Sequence, residues 1–249
     1  MKILLTSGGT KVSIDCVRSI TNMSRGTFGS AICKEFLLRG HEVDFLMAKD
    51  SRTPFEFRYH AFDCVQFQKE VDSYRKFVEE NNSRYREHVY KTFEEYYAQV
   101  MTLLDKNKYD MVILAAAVSD YGIESWVNGK IRSKEDLNIE LSPLPKIIGK
   151  IKELQPYTFL VGFKLLVGST EDELMEAAND SLNKNKCGIV VANDLEDIKC
   201  DNHTLLIVEK DKITRIEKKT CEEGNTTLPR ELVNHIMVSY VTPKSDSFV

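Results

Sequence analysis

Three features of the 249-residue sequence predict an α/β fold, with a mostly parallel sheet, helices on both its faces and a C-terminal β-hairpin. Residues 2–6 (Lys-Ile-Leu-Leu-Thr) read as a short buried strand closed by the turn Ser7-Gly8-Gly9-Thr10. Apolar strand-like runs then alternate with helical stripes, the pattern that packs helices on a parallel sheet. Finally, 204–208 and 212–216 alternate about Lys210-Asp211 as a hairpin does.

The elements follow in order. Over 27–39, Phe28, Ile32, Phe36 and Leu37 share one helical stripe, and Gly40 ends it. Residues 42–47 form the next strand. Residues 68–107 are rich in charge and tyrosine; Val78, Val89, Phe93, Tyr96, Val100 and Leu103 recur at helical spacing, predicting one or two amphipathic helices broken near Asn81-Asn82. Their aromatics are read as core packing rather than a ligand box. Residues 109–117 are the strongest buried strand, and 137–141 another. Pro143 and Pro145 mark a turn, with Pro145 opening a helix to about Leu154. Strands at 157–164 and 187–193 flank a helix at 171–184; 228–241 is the last helix, and the tail after Pro243 should fray. No repeat or linker divides the chain, so 1–249 is read as a single domain on a Rossmann-like sheet.

Composition narrows the function. Charged residues make up 29% and hydrophobic residues 42%, with Lys+Arg 34 against Asp+Glu 38, so the net charge is −4. That balance argues against nucleic acid as a partner, which needs a basic face. No segment approaches the length of a membrane span, and the first ten residues lack the apolar stretch of a secretion signal. The six cysteines and five histidines are scattered, without a zinc-type spacing. Reduced thiols in a cytoplasmic protein are the expectation.

Four motifs carry the chemistry. Thr6-Ser7-Gly8-Gly9-Thr10 is either a plain turn or a cradle of backbone N–H groups for phosphate or carboxylate oxygens. The dinucleotide fingerprint G-x-G-x-x-G is absent, and Lys11–Gly26 separates this turn from the first helix, where a dinucleotide site allows almost nothing. A binding loop accounts for that insert better than a spacer does. Within it, Arg18 and Asn22 offer a fixed charge and an amide beside a helix N-terminus, a pairing suited to a phosphate ester or carboxylate; Arg25 reads as a ligand or as solvated surface. At 115–121, Ala115-Ala116-Ala117-Val118-Ser119-Asp120-Tyr121 ends the central strand with small residues that let a ligand approach. Asp120 suits a ribose hydroxyl or a turn cap equally. Lys130, Arg132 and Lys134 form a basic loop that either closes over phosphates or lies solvated.

Taken together, these stretches resemble the phosphopantothenate–cysteine ligase family (phosphopantothenoylcysteine synthetases) in its free-standing bacterial form. The matching segments are 6–10, 15–29, 115–121, the loop from Lys130, Val161-Gly162-Phe163-Lys164-Leu165-Leu166 and Val190-Val191-Ala192-Asn193-Asp194. The resemblance implies that 4′-phosphopantothenate is activated by CTP, or by ATP, with Mg²⁺ on the phosphates. The L-cysteine amine then attacks the acyl-nucleotide, giving phosphopantothenoylcysteine, a nucleoside monophosphate and pyrophosphate on the route to coenzyme A. It also implies a homodimer. By the same resemblance, Asn22 holds the intermediate, Arg18 supports that loop, and Ala116 and Ala117 contact the reacting groups through their backbone. Ser7, Gly8, Gly9, Thr10, Ala115 and Ala116 line the nucleotide site, Asp120 takes the sugar, and Lys130 reaches the triphosphate. Phe163 packs on the base beside Ser142, Pro143, Leu144 and Pro145, and Lys184 lies near the phosphates. The family's companion to Lys184 falls at Asp180, and its lysine loop is thinner here, reading Lys130-Ile131-Arg132-Ser133.

Two rival readings make different demands. An NAD(P)-dependent oxidoreductase calls for the missing glycine fingerprint and a Tyr-x-x-x-Lys pair, whose spacing occurs only at Tyr240 and Lys244, across Pro243. A non-enzymatic nucleotide sensor needs neither Asn22 nor the basic loop.

Overall fold

In the computed structural model, described over residues 1–55, 64–124, 128–132, 137–200, 203–218 and 227–242, continuous apolar runs become the inner strands of one sheet. The chain opens with β1 (Lys2–Ser7), a small hairpin of β2 (Lys11–Ser13) and β3 (Ser19–Thr21), α1 (Thr27–Leu38) and β4 (Glu42–Ala48). It continues through α2 (Cys64–Asn81), a short 3₁₀ turn, β5 (Tyr85–Tyr90), α3 (Phe93–Lys106) and β6 (Met111–Leu114). A second small hairpin of β7 (Tyr121–Ile123) and β8 (Leu141–Pro143) precedes α4 (Ile148–Leu154), β9 (Phe159–Leu166), α5 (Glu171–Asn185) and β10 (Ile189–Asp194). The described chain ends with α6 (Leu195–Lys199), β11 (Thr204–Glu209), β12 (Lys212–Glu217) and α7 (Leu228–Val241).

The eight-stranded sheet has the order β12-β11-β10-β9-β6-β1-β4-β5. It is parallel from β5 to β10, and the hairpin β11–β12 adds two antiparallel strands at one edge. Period-two alternation sends Leu4, Leu46, Val112, Leu160 and Val190 to one face, against α3, α4 and α5. Ile3, Leu5, Phe45, Ile113 and Val191 go to the other, against α1 and α7. The strand order reverses between β1 and β6, so a crevice opens beyond their carboxyl ends, where ligands of open α/β sheets bind.

Several expectations need correction. Residues 85–90 are an edge strand rather than part of a helix. Tyr85 to Tyr90 pair with Val43 to Ala48, and their alternate charged residues face polar partners of β4: Arg86 bonds Glu42 at 2.6 Å, and His88 bonds Asp44 at 2.9 Å. Val89 is exposed, whereas Phe93, Tyr96, Val100 and Leu103 of α3 are buried as read. The central strand pairs regularly only over Met111–Leu114, then makes one further bridge, Gly9 with Ala117, as the small residues bend away. Residues 137–140 lie outside any strand, and Pro143, read as a turn, pairs with Tyr121 instead. A proline is tolerated there because the hairpin is two-stranded and all edge. Helix α4 starts at Ile148, three residues after Pro145. The expected fraying after Pro243 lies outside the described residues.

Candidate active site

The insert between β1 and α1 folds back over the reversal point of the sheet. Gly8 has φ 86°, and a Cβ there would fall 1.9 Å from the Ser51 hydroxyl; a Cβ on Gly9 would fall 2.4 Å from the Asn22 carbonyl. Only glycine permits both the turn and this close approach. The insert then pairs with itself as β2 and β3, leaving Asn22 at the hairpin's end with its N–H donating to the Thr10 carbonyl at 3.3 Å.

A short relay orients the Asn22 amide. The Ser119 hydroxyl donates to Asn22 Oδ1 at 2.8 Å and lies 3.0 Å from Thr10 Oγ1, which also accepts from the Ser119 N–H at 2.8 Å. With the Ser119 proton directed at Asn22, the remaining hydroxyl bond runs from Thr10 to Ser119. The amide carbonyl therefore faces β6, and Asn22 Nδ2 is left without a partner among the described residues. Asp120 follows Ser119 on the same segment.

The basic loop is tied to the same insert. Asp15 is buried, and its carboxylate accepts from the N–H groups of Val17 (2.8 Å), Arg18 (2.7 Å) and Ile131 (3.1 Å). Arg18 forks onto Asp15 through Nε at 3.0 Å and Nη2, and Nη2 also donates to the Ile131 carbonyl at 2.8 Å. The Cys16 N–H donates to the Gly129 carbonyl at 3.2 Å. The Arg18 guanidinium, followed by these backbone donors, outweighs burial and holds the Asp15 carboxyl far below the usual carboxylate range. Lys130 thus sits exposed between two anchored neighbours, and hydrogen bonds join the segments of Asn22, Asp120 and Lys130. Ser133 and Lys134 lie outside the described residues.

The other expected site residues are placed as follows. Ser7 is buried and its hydroxyl donates to the Gly26 carbonyl at 3.1 Å. The N–H groups of Thr10, Ala116 and Ala117 are bonded within the chain to the Ala117 carbonyl, Thr6 Oγ1 and the Gly8 carbonyl. Ala115 packs partly buried against the α1 face. Asp120 pairs with Lys146, both well exposed, and its carbonyl accepts from the Leu144 N–H at 2.9 Å. Ser142 donates to Glu124 at 2.6 Å, Leu144 packs over Gly122, and Pro143 and Pro145 are exposed. Phe163 meets Phe28 edge-on at 6.3 Å, and His203 lies 5.3 Å beyond Phe28. Burial, then the charge of Lys218, lowers the His203 pKa.

Lys184 occupies the last turn of α5, the end leading into the start of β10, and the fold does not bring it beside Asn22 or Asp120. Sequence reasoning missed Thr10 and Ser119 as a relay, Asp15 as an anchor and Lys146 as the partner of Asp120. Asp15 alone left a local signal, an aspartate three residues before an arginine. Lys244 of the rival Tyr-x-x-x-Lys pair lies outside the described residues. Among the described residues no three His, Cys, Asp or Glu side chains converge as metal ligands, and no helix is long and apolar enough to cross a membrane.

Residues 1–80 and 75–237 match the family model described as the DNA/pantothenate metabolism flavoprotein C-terminal domain. The chain is 36% identical over 222 residues to the coenzyme A biosynthesis bifunctional protein CoaBC of Thermococcus kodakarensis, covering 89% of this chain and 48% of that protein. It is 31% identical over 226 residues to phosphopantothenate–cysteine ligase 2 of Oryza sativa subsp. japonica, covering 79% of this chain and 69% of that protein. It superposes on the DNA/pantothenate metabolism flavoprotein from Streptococcus pneumoniae with a TM-score of 0.74 at 30% identity, covering 96% of this chain and 99% of that one. The chain spans about half the length, or less, of the bifunctional relatives it matches, 48% and 40%. These likenesses extend over archaeal bifunctional proteins and plant ligases, so they do not single out the free-standing bacterial form expected from the motifs.

Proposed function

This chain belongs to the family of the DNA/pantothenate metabolism flavoprotein C-terminal domain, and from that premise we propose that it joins 4′-phosphopantothenate to L-cysteine through an acyl-nucleotide. The observation that carries the reading is the 2.8 Å bond between Ser119 and Asn22. It brings the insert and the end of β6, two motifs far apart in sequence, to one point on the ligand edge of the sheet.

A carboxylate is a poor acyl donor because its leaving group would be oxide. In the first step a carboxylate oxygen of phosphopantothenate bonds to the α-phosphorus of the nucleoside triphosphate, and the bond to pyrophosphate breaks. In the second, the cysteine amine bonds to the acyl carbon, the carbon–oxygen bond to the nucleotide breaks, and the amine loses a proton. The negative charge of the tetrahedral intermediate gathers on the acyl oxygen. Asn22 Nδ2, its amide oriented by Ser119 and Thr10, supplies a preorganised donor for that oxygen. Lys130 neutralises phosphate oxygens from a loop that Asp15 and Arg18 hold in place. The work of the site is positioning and electrostatics, and the fold supplies both by rigid strand ends.

CTP is the proposed nucleotide, with ATP the alternative. The side chains at this edge, hydroxyls and amides with Asp120 engaged by Lys146, do not make a magnesium cage. Mg²⁺ is proposed to arrive on the triphosphate, which suits an ion that keeps its waters and binds phosphate oxygens. A cytoplasmic homodimer is proposed as well. The exposed side chains of Val17, Ile20, Tyr121 and Leu141 on the two small hairpins, and of Met23 next to the first, support it, since they leave apolar surface open. Light scattering on the purified chain gives the expected result as twice the chain mass.

The direct test is pyrophosphate release. It is expected only when phosphopantothenate and a nucleoside triphosphate are both present, and the kcat/KM for each triphosphate ranks CTP against ATP. No release with CTP, ATP, GTP or UTP contradicts the ligase reading, and nucleotide binding alone then favours the sensor.

A further inference from the structure

Beside Asn22, the carboxyl ends of β4 and β5 form a small cleft of about 50 Å³, walled by Gly9, Asn22, Lys11, Lys49, Ser51 and Lys91. None of its lysines belongs to the motifs that led to the ligase reading. They come from three separate elements: Lys11 opens β2, Lys49 follows β4 and Lys91 follows β5.

The charge in the cleft is unbalanced. Lys11 bonds Asp50 at 2.8 Å. The bond and charge of Lys11, followed by the charges of Lys49 and Lys91, hold the Asp50 carboxyl below its usual range. The ammonium groups of Lys49 and Lys91 have no hydrogen-bond or ion-pair partner among the described residues. Three lysines against one aspartate leave two positive charges open, on a chain whose net charge is −4. Ser51 lines the same wall, with its hydroxyl turned behind Gly8. Like charges gathered from separate elements repel unless an anion lies between them. Gly9 carries no side chain, so the cleft meets backbone there.

We propose that this cleft is an anion site for a phosphate group of one of the ligase's two phosphorylated substrates, with Lys49 and Lys91 as its cationic ligands. The inference rests on the ligase reading and deepens it. The chemistry, a phosphate dianion held by two ammonium groups, is common to the phosphomonoester of phosphopantothenate and the phosphates of the nucleotide. The position beside Asn22 keeps the bound phosphate within the same crevice as the amide.

The test is the double variant Lys49→Gln/Lys91→Gln, compared with Lys106→Gln/Lys108→Gln, which makes the same charge change at the far end of α3. Both pairs are exposed, so neither substitution opens the core. A rise of about tenfold or more in the KM of one substrate is expected, with kcat within about twofold, the scale of a lost charge-assisted hydrogen bond. A rise confined to phosphopantothenate places its phosphomonoester in the cleft; a rise confined to the triphosphate places the nucleotide's phosphates there. If neither KM differs from the control pair, the proposal is overturned. Should the chain release no pyrophosphate with any nucleotide, the ligase reading fails separately. Calorimetric titration with inorganic pyrophosphate then decides the anion site: weaker binding to the double variant than to the control supports it, and equal binding, or none to the unaltered chain, overturns it.

Discussion

Two polar clusters, one around Asp44 toward the amino ends of the parallel strands and one around Asn22 beyond their carboxyl ends, satisfy their groups in opposite ways. Toward the amino ends, Asp44 is 2% exposed and accepts from the Tyr109 hydroxyl at 2.9 Å and His88 at 2.9 Å, with Arg86 at 3.3 Å. Burial raises its pKa, but those two hydrogen bonds and the Arg86 charge prevail and keep the carboxyl below its ordinary value. Nearby, Gln155 accepts from the Tyr109 N–H and donates to the carbonyls of Leu104 and Asn107. Those valences close within the chain. Around Asn22, its Nδ2 and the ammonium groups of Lys49, Lys91 and Lys130 have no hydrogen-bond or ion-pair partner among the described residues. Closed networks make a unique fold, whereas open ones at a strand end are available to a ligand.

That contrast is most easily broken by cutting the closed network. Asp44→Ala leaves the Tyr109 hydroxyl and the His88 ring without their shared acceptor and removes one of the two carboxylates beside Arg86, and is expected to cost about 3 kcal/mol of unfolding free energy in urea titrations. The kcat of the folded enzyme should be unchanged. Asn22→Asp reverses the pattern, with an unaltered urea midpoint but a loss of about a hundredfold in product formation, the scale of one removed oxyanion donor. Activation by nucleotide should persist in that variant, and unchanged cysteine coupling would remove the role given to Asn22.

Asp15→Asn tests whether an anchor at the open end acts through the loop it holds. It is expected to raise the KM for the triphosphate about tenfold, a scale set by one charge-assisted hydrogen bond, and to speed tryptic cleavage after Lys130. Acid stability sharpens the comparison further. Asp194 accepts from the Ser169 and Glu196 N–H groups, the Ser169 hydroxyl and the Gly168 N–H, which outweigh burial and bring its pKa to about 2. Because the folded value lies below the unfolded value of ~3.9, the contribution is complete above pH ~4 and is lost as pH falls through about 2. Thermal scans of Asp194→Asn across that window should show a weaker acid decline than the unaltered chain. The smallest effect is expected for Lys146→Ala, which removes an exposed pair with Asp120 and should change stability by less than about 1 kcal/mol.

The inner sheet was legible because β1, β6, β9 and β10 are apolar runs that no helix of that length would bury on all sides. The edge strand β5 was not, because Tyr85-Arg86-Glu87-His88-Val89-Tyr90 carries charge that only the polar side of β4 accounts for. Three-residue strands such as β2 and β3 are too short to show a period, so the insert read as a loop. Asn22, Asp120 and Lys130 could be picked from residue type and place, whereas Thr10 and Ser119 become a relay only once the Gly9–Ala117 bridge aligns them. Lys146 reaches Asp120 only through the β7–β8 hairpin, a pairing set by tertiary register rather than by any local pattern.

The proposed reaction passes through an acyl-nucleotide formed beyond the carboxyl ends of the sheet. Mixing the chain with phosphopantothenate and CTP or ATP, without cysteine, and quenching for mass spectrometry tests it most directly. The expected species is a phosphopantothenoyl-nucleotide that disappears when cysteine is added, with one nucleoside monophosphate released per product. A phosphopantothenoyl phosphate accompanied by nucleoside diphosphate would contradict it.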